Sequence, residues 1–328
     1  MSGGSVPYHL RSNKSVDRSI FMELLMKMHT LRKINNYRYI GFGAPHMEDF
    51  KLIHSLFSIK KLTCLEYNDE VHKRQKFNRP LKCISLLKQT SGEYITNYEV
   101  GKNSIVWLDY ADPRQLRLQI SEFQQLLQKT MEYDIVKITL NASPNSLVDK
   151  SHEKAPIILN NKRFEVLSER LGVFLPTSAL PNMMTVKSLP KVLLQSLLIA
   201  SDQVLIPVLD LQFIPLCSFT YNDGPHQMIT LTGIILNKSN KTKILKESGF
   251  LNWEYFIGNY NEPLSINMPD LTLRERLAID ALLPNSTAKT IQKKLKIFFD
   301  ENEKKSLERL DSYAKFYRHY PHFSRINM

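Results

Sequence analysis

Three short stretches carry residue types suited to holding a nucleoside. Gly41-Phe42-Gly43 has no side chain at two of its three positions, so a ligand can approach the main chain closely. Glu66 stands 23 residues beyond Gly43. A βαβ unit that binds a nucleoside places an acid about 20 residues after its glycines, where the carboxylate accepts from the ribose hydroxyls. The third stretch is Asp109-Tyr110-Ala111-Asp112-Pro113. There Asp109 could take a proton from a hydroxyl, orient an amino group of a ligand, or cap the helix that follows.

The glycine triplet does not complete a dinucleotide fingerprint. G-x-G-x-x-G would need glycine where His46 stands, which counts against NAD or FAD. No G-x-x-x-x-G-K-[ST] occurs, so a P-loop nucleotide hydrolase is excluded.

The elements that must position these residues alternate in the first half of the chain. Strands are expected at residues 37–40, 62–65, 83–86, 105–108 and 135–140. Helices are expected at residues 15–31, from Pro45 onward, at 69–77, and along Leu116, Ile120, Phe123, Leu126 and Leu127. Alternation of this kind is the signature of a parallel α/β sheet, whose ligands bind at the carboxyl ends of the strands. All three stretches follow an expected strand. Residues 142–162 read as a loop rich in Ser, Asn, Pro and Lys. Helices follow near residues 163–171 and 187–201. Two apolar runs, 213–221 and 228–236, then flank Asn222-Asp223-Gly224, a turn signal for an antiparallel hairpin. Beyond residue 240 the pattern is helical. Thr272 and Glu275 have capping-box spacing for a helix over 272–283, and two more helices are expected at 287–299 and 303–320. The domain reading is one α/β unit over 1–240, with residues 1–36 as a basic helical cap, and a helical extension over 241–328 packed on it.

Cations crowd the start of the first helix: Arg11, Lys14 and Arg18, with Asn13 among them, lie where a helix dipole disfavours positive charge. A local misfit of this sort can mark a site. The expectation is that Lys14 and Arg11 fold over the cofactor pocket and contact the carboxylate of the cofactor or an anionic substrate. Charge is uneven more widely. The 328 residues carry a net +12, and residues 1–90 hold 16 Lys and Arg against 7 Asp and Glu, a net +9. A basic region of that size can attract a polyanion, nucleic acid above all.

Composition excludes other classes. Hydrophobic residues are 43% of the chain and aromatics 10%, enough for a packed core. The three cysteines, Cys64, Cys83 and Cys217, form no CxxC pair, which excludes a disulfide scaffold and a Cys-rich zinc site. His9, His29, His46, His54 and His72 show no metal spacing, and no metal is expected. No uncharged apolar run reaches about 18 residues, and the first residues lack a signal-peptide middle, so a soluble cytoplasmic protein with no membrane contact is expected. The aromatic tail, Tyr313, Phe316, Tyr317, Arg318, His319, Tyr320, His322 and Phe323, is read as packing rather than as a base-stacking platform.

A parallel sheet closed by an antiparallel hairpin resembles the Rossmann-like, seven-stranded sheet of class I S-adenosylmethionine (SAM) methyltransferases, whose last strand lies antiparallel beside the fifth. The segments YHLRSNKSVDR, YRYIGFGAPHMEDF, CLEYNDE, FNRP, IVWLDYADP and ITLNASPNS resemble a bacterial O-methyltransferase family. So do YNDGPHQMITLTGIIL, LTLRERLAIDALLP and YAKFYRHYPHF. The resemblance covers nearly the whole chain. It implies SAM as cofactor, held by Gly41, Phe42, Gly43, Glu66 and Asp109 with Lys14 and Arg11, and methyl transfer at Asp109 and Tyr110. Asp109-Tyr110-Ala111 lacks the paired proline of [DNS]-P-P-[YFW], which disfavours an exocyclic base nitrogen as acceptor. No Pro-Cys pair occurs, which disfavours the covalent route to cytosine carbon-5. The acceptor stays open between a hydroxyl and nucleic acid. Two other readings remain. One is a SAM-fold subunit without chemistry, serving a partner in a bacterial antiviral defence system and encoded near it. The other is a nucleotide-dependent oxidoreductase, weakened by the missing third glycine.

Overall fold

The apolar runs pair into one eight-stranded sheet in the computed structural model, which describes residues 11–153, 155–205 and 210–321. The strands are β1 (Arg38–Gly41), β2 (Lys61–Leu65), β3 (Ile84–Leu87), β4 (Ser104–Asp109), β5 (Ile135–Asn141), β6 (Leu211–Asp223), β7 (His226–Asn237) and β8 (Leu264–Ile266). Their order is β3-β2-β1-β4-β5-β7-β6-β8. The first five are parallel, and β7 is antiparallel to both β5 and β6. That is the class I methyltransferase order with one strand added. The seven-stranded expectation is corrected to eight, because β8 joins the edge of β6 in parallel. Three residues are too few to show a period-2 pattern in sequence.

Eleven helices are described: α1 (Ser12–Leu31), α2 (Glu48–Phe57), α3 (Asp69–Asn78), α4 (Ser91–Thr96), α5 (Leu116–Leu127), α6 (Pro156–Leu171), α7 (Leu189–Leu205), α8 (Lys241–Glu247), α9 (Leu273–Asp280), α10 (Ala288–Leu295) and α11 (Glu303–Phe316). Two expectations shift, and one helix, α4, was not expected. Pro45 does not open α2; Met47, in the left-handed region at φ 47°, turns the chain so that α2 starts at Glu48. The loop expected over 142–162 is shortened by α6, which Pro156 opens at a first-turn position that needs no N–H. The six-residue α4 is too short to give a periodic signal.

Helices cover both faces, and strand alternation sorts the side chains between them. Ile105, Trp107 and Ile135 face the layer of α1 and α2. Val106, Leu108, Val136, Ile138 and Leu140 face α5, α6 and α7. The chain beyond 240 adds Ile279, Ile291, Leu310, Tyr313 and Phe316 to the α1-side core. The tail aromatics Tyr313, Phe316 and Tyr320 are buried there. His9, His322 and Phe323 lie outside the described residues. No helix among the described residues is long and apolar enough to cross a membrane.

Candidate active site

Gly41, Glu66 and Asp109 all come to the carboxyl edge of the sheet, since β1 pairs in parallel with β2 on one side and β4 on the other. The β1–α2 turn is drawn against the end of β2. A Cβ on Gly43 would lie 2.6 Å from Met47 Cγ and 2.7 Å from Cys64 Sγ, so only glycine lets the turn seat there. The glycine is thus needed for close approach of protein to protein. Ala44 and Met47 both adopt positive φ just after it. Such strain gathers where a loop is held for a purpose. In the same turn, His46 Nε2 is buried and has no hydrogen-bond partner among the described residues.

Glu66 ends β2 and begins the turn into α3. One of its oxygens accepts from the Asn68 N–H at 2.8 Å, and Asn68 in turn caps α3 by accepting from Glu70 and Val71. No cation pairs with Glu66 among the described residues. Burial raises its pKa, with the Asn68 and Tyr67 amides pulling the other way. Beside it the Tyr67 side chain is exposed. The result is a half-buried acceptor without a partner charge, next to an open aromatic ring.

Alternation at the end of β4 sends its two candidates to opposite faces. Asp109 turns toward α1, where Lys14 Nζ donates to it at 3.1 Å. Burial raises its pKa, but Lys14, Arg18 and a Thr139 hydrogen bond outweigh that and hold it below the usual carboxylate value. Tyr110 turns toward α5, where its hydroxyl donates to Glu122. Burial and that carboxylate push the phenol far above its ordinary value. Its ring lies 5.8 Å from that of Phe42.

The cations of α1 are answered one by one. Arg11 pairs with Asp223 at 3.1 Å, and Lys14 also lies 3.9 Å from Asp223. Arg18 donates to Asp49 at 3.0 Å. Asp223 therefore does more than turn the β6–β7 hairpin, the only role its sequence context indicates. Deeper, Lys137 of β5 donates to Asp17 of α1 at 2.9 Å, and both side chains are at most 1% exposed. Thr230 of β7 donates to the same oxygen at 3.0 Å, and the Lys137 ammonium lies 4.8 Å from the centre of the Trp107 ring. Sequence reading passed over this pair. Its signal was a lone lysine in the apolar run IVKITL, which demands a buried partner. Tyr221, with a buried hydroxyl unpartnered among the described residues, stands beside the same acids. No group of His, Cys, Asp and Glu among the described residues is arranged to hold a metal ion.

Several solved structures share features of this architecture at low identity. The plantazolicin methyltransferase BpumL in complex with SAH matches at 10% identity and TM-score 0.38, over 67% of this chain and 84% of that one. The N-methyltransferase NodS from Bradyrhizobium japonicum matches at 7% and 0.35, over 65% and 96%. A fibrillarin/Nop5p complex matches at 12% and 0.33, over 61% and 73%. No functionally curated protein matches the chain in sequence. The decisive match is to a family described as "Putative O-methyltransferase", and it runs over residues 6–328. Nearly the whole chain is covered, and the strand order is that of the class I sheet; the protein belongs to this methyltransferase family.

Proposed function

We propose that the protein transfers a methyl group from SAM to a hydroxyl-bearing acceptor at the carboxyl edge of its sheet. The observation that carries the cofactor part of this is Glu66, an ionisable acceptor set half-buried at the end of β2 with no cation paired to it among the described residues; the family description supports oxygen as the acceptor atom. Two ribose hydroxyls are donors of the complementary kind. Tyr67 is open and would cover the adenine, and the β1–α2 turn, with His46 Nε2 unpartnered among the described residues, would meet the methionine part.

When bound, SAM would supply an electrophilic methyl on a sulfonium, with S-adenosylhomocysteine as the leaving group and the acceptor's hydroxyl proton passing to water. What the chain adds is position and field. Asp109 stays ionised well into acid because Lys14 holds it, so it suits a fixed negative charge better than a proton acceptor. Its part is to orient a cationic or amino group beside the transferring carbon. Tyr110, with its hydroxyl committed to Glu122, serves as a wall with Phe42. Lys14 and Arg11 set the rim through Asp109 and Asp223.

Tritiated SAM incubated with RNA, DNA, protein and small-molecule fractions tests the reading. Label should enter one fraction, and Asp109→Asn should lower the rate by about 10- to 100-fold, the size of a lost charge-assisted contact. SAM binding without transfer to any fraction would favour the subunit that binds but does no chemistry. Absence of SAM binding would remove both.

A further inference from the structure

Beyond its acidic first turn, α3 and the connection that leads to the edge strand β3 are basic. Residues 71–92 hold six Lys and Arg and no Asp or Glu. Two of the six are answered: Lys73 by Glu70 at 2.7 Å and Lys88 by Asp69 at 2.6 Å. Arg74, Lys76, Arg79 and Lys82 are exposed and make no ion pair among the described residues. In their midst Phe77 is 92% exposed. It sits three residues after Arg74 and four after Lys73, so the ring shares a helix face with both. A phenylalanine held in water costs free energy on its own. Salt-bridged solubility explains cations on this edge, but it does not explain an aromatic ring among them.

The edge is also placed to serve the candidate site. Glu66 and Tyr67 lead directly into α3, and Tyr67 is itself 63% exposed. Phe77 lies about 12 Å farther along the helix from Asp69. One open ring thus stands just before α3 and the other near its end.

We propose that this face binds single-stranded nucleic acid, with Arg74, Lys76, Arg79 and Lys82 on phosphates and Phe77 stacked on a base. Cations that follow a backbone and an aromatic that accepts any base are the two parts of such a surface. The assignment of the strand as methyl acceptor rests on the methyltransferase reading; the surface itself does not.

The test is fluorescence anisotropy with a labelled oligouridylate over a range of salt. Phe77→Ala should weaken binding roughly 5- to 100-fold with the salt slope unchanged, as stacking is lost and charge is not. The pair Arg74→Gln/Lys76→Gln should flatten the slope of log K against log salt by about 1.4, near 0.7 for each phosphate contact. The same charge change on another face, Lys289→Gln/Lys293→Gln of α10, should leave the slope as it was. Phe77 is so exposed that its removal leaves the fold intact, which circular dichroism confirms. Wild-type affinity in Phe77→Ala, an equal loss in the α10 variant, or equal binding of polyglutamate would overturn the proposal. Calorimetry with SAM on Phe77→Ala keeps the two readings apart, since SAM should bind that variant as it binds the wild type.

Discussion

The carboxyl edge of the sheet has two halves that treat charge in opposite ways. At β4, β5 and the β6–β7 hairpin the charges close on one another: Lys14 with Asp109, Arg11 with Asp223, Lys137 with Asp17. At β1 and β2 they are left open: among the described residues Glu66 has no paired cation and His46 Nε2 has no hydrogen-bond partner, and Tyr67 stands in solvent. A closed network fixes α1 across the sheet. An open set of acceptors and rings costs stability unless something binds there. On the proposed reading, the closed half holds Asp109 in place and the open half offers the uncommitted acceptors for the cofactor.

The closed half should break hardest. Lys137→Met leaves Asp17 charged in a dry interior and should cost about 3–5 kcal/mol in urea unfolding. The double variant Asp17→Asn/Lys137→Met should recover most of that. If the single variant is nearly neutral, the pair is not the clamp described.

Lys14→Met comes next, at about 1.5–3 kcal/mol for a charge-assisted bond. Its signature is in the pH profile. Asp109 has a folded pKa below its ordinary 3.8. Its stabilisation is therefore complete above 3.8 and is lost as the pH falls through the folded value. Removing Lys14 raises that folded value, so acid unfolding should begin at a higher pH. An unchanged acid midpoint would mean that Lys14 does not hold Asp109.

The open half should show a smaller effect, and in binding more than in stability. The pKa of Glu66 is raised above its ordinary 4.5 by burial. A protonated carboxyl accepts less well, so SAM affinity should begin to fall at a pH above 4.5 as acid is added. The unfolded chain keeps the lower value, so protonating Glu66 stabilises the fold as the pH falls through the raised one. Affinity and this part of stability therefore move in opposite directions. Affinity that is flat across this window would detach Glu66 from the ligand.

Much of this was legible in the residues. Ile105-Val106-Trp107-Leu108 could only be a strand buried on both faces, and Asn222-Asp223-Gly224 between two apolar runs could only be a hairpin. From the alternation of strands and helices comes the expectation of a parallel sheet with Gly41, Glu66 and Asp109 after its strands, while the place of the hairpin beside the fifth strand comes from the resemblance to class I methyltransferases. Thr272 and Glu275 form the capping box that their spacing announced. What stayed hidden depends on tertiary partners. The Tyr110 hydroxyl looks free for chemistry beside Asp109 until alternation sends it to Glu122. Pro45 looks like a helix start until Met47 turns the chain. The misfit of cations at the start of α1 was visible, but Asp109 and Asp223, which answer it, lie 95 and 209 residues away from Lys14.

The central claim is that the open half binds SAM through Glu66. Calorimetric titration of SAM into the wild type and into Glu66→Gln at neutral pH tests it directly. The account predicts binding to the wild type, a loss of roughly 10- to 100-fold in the variant as charged acceptance is removed, and a variant at least as stable as the wild type. No binding to the wild type, or equal affinity in the two proteins, would contradict it.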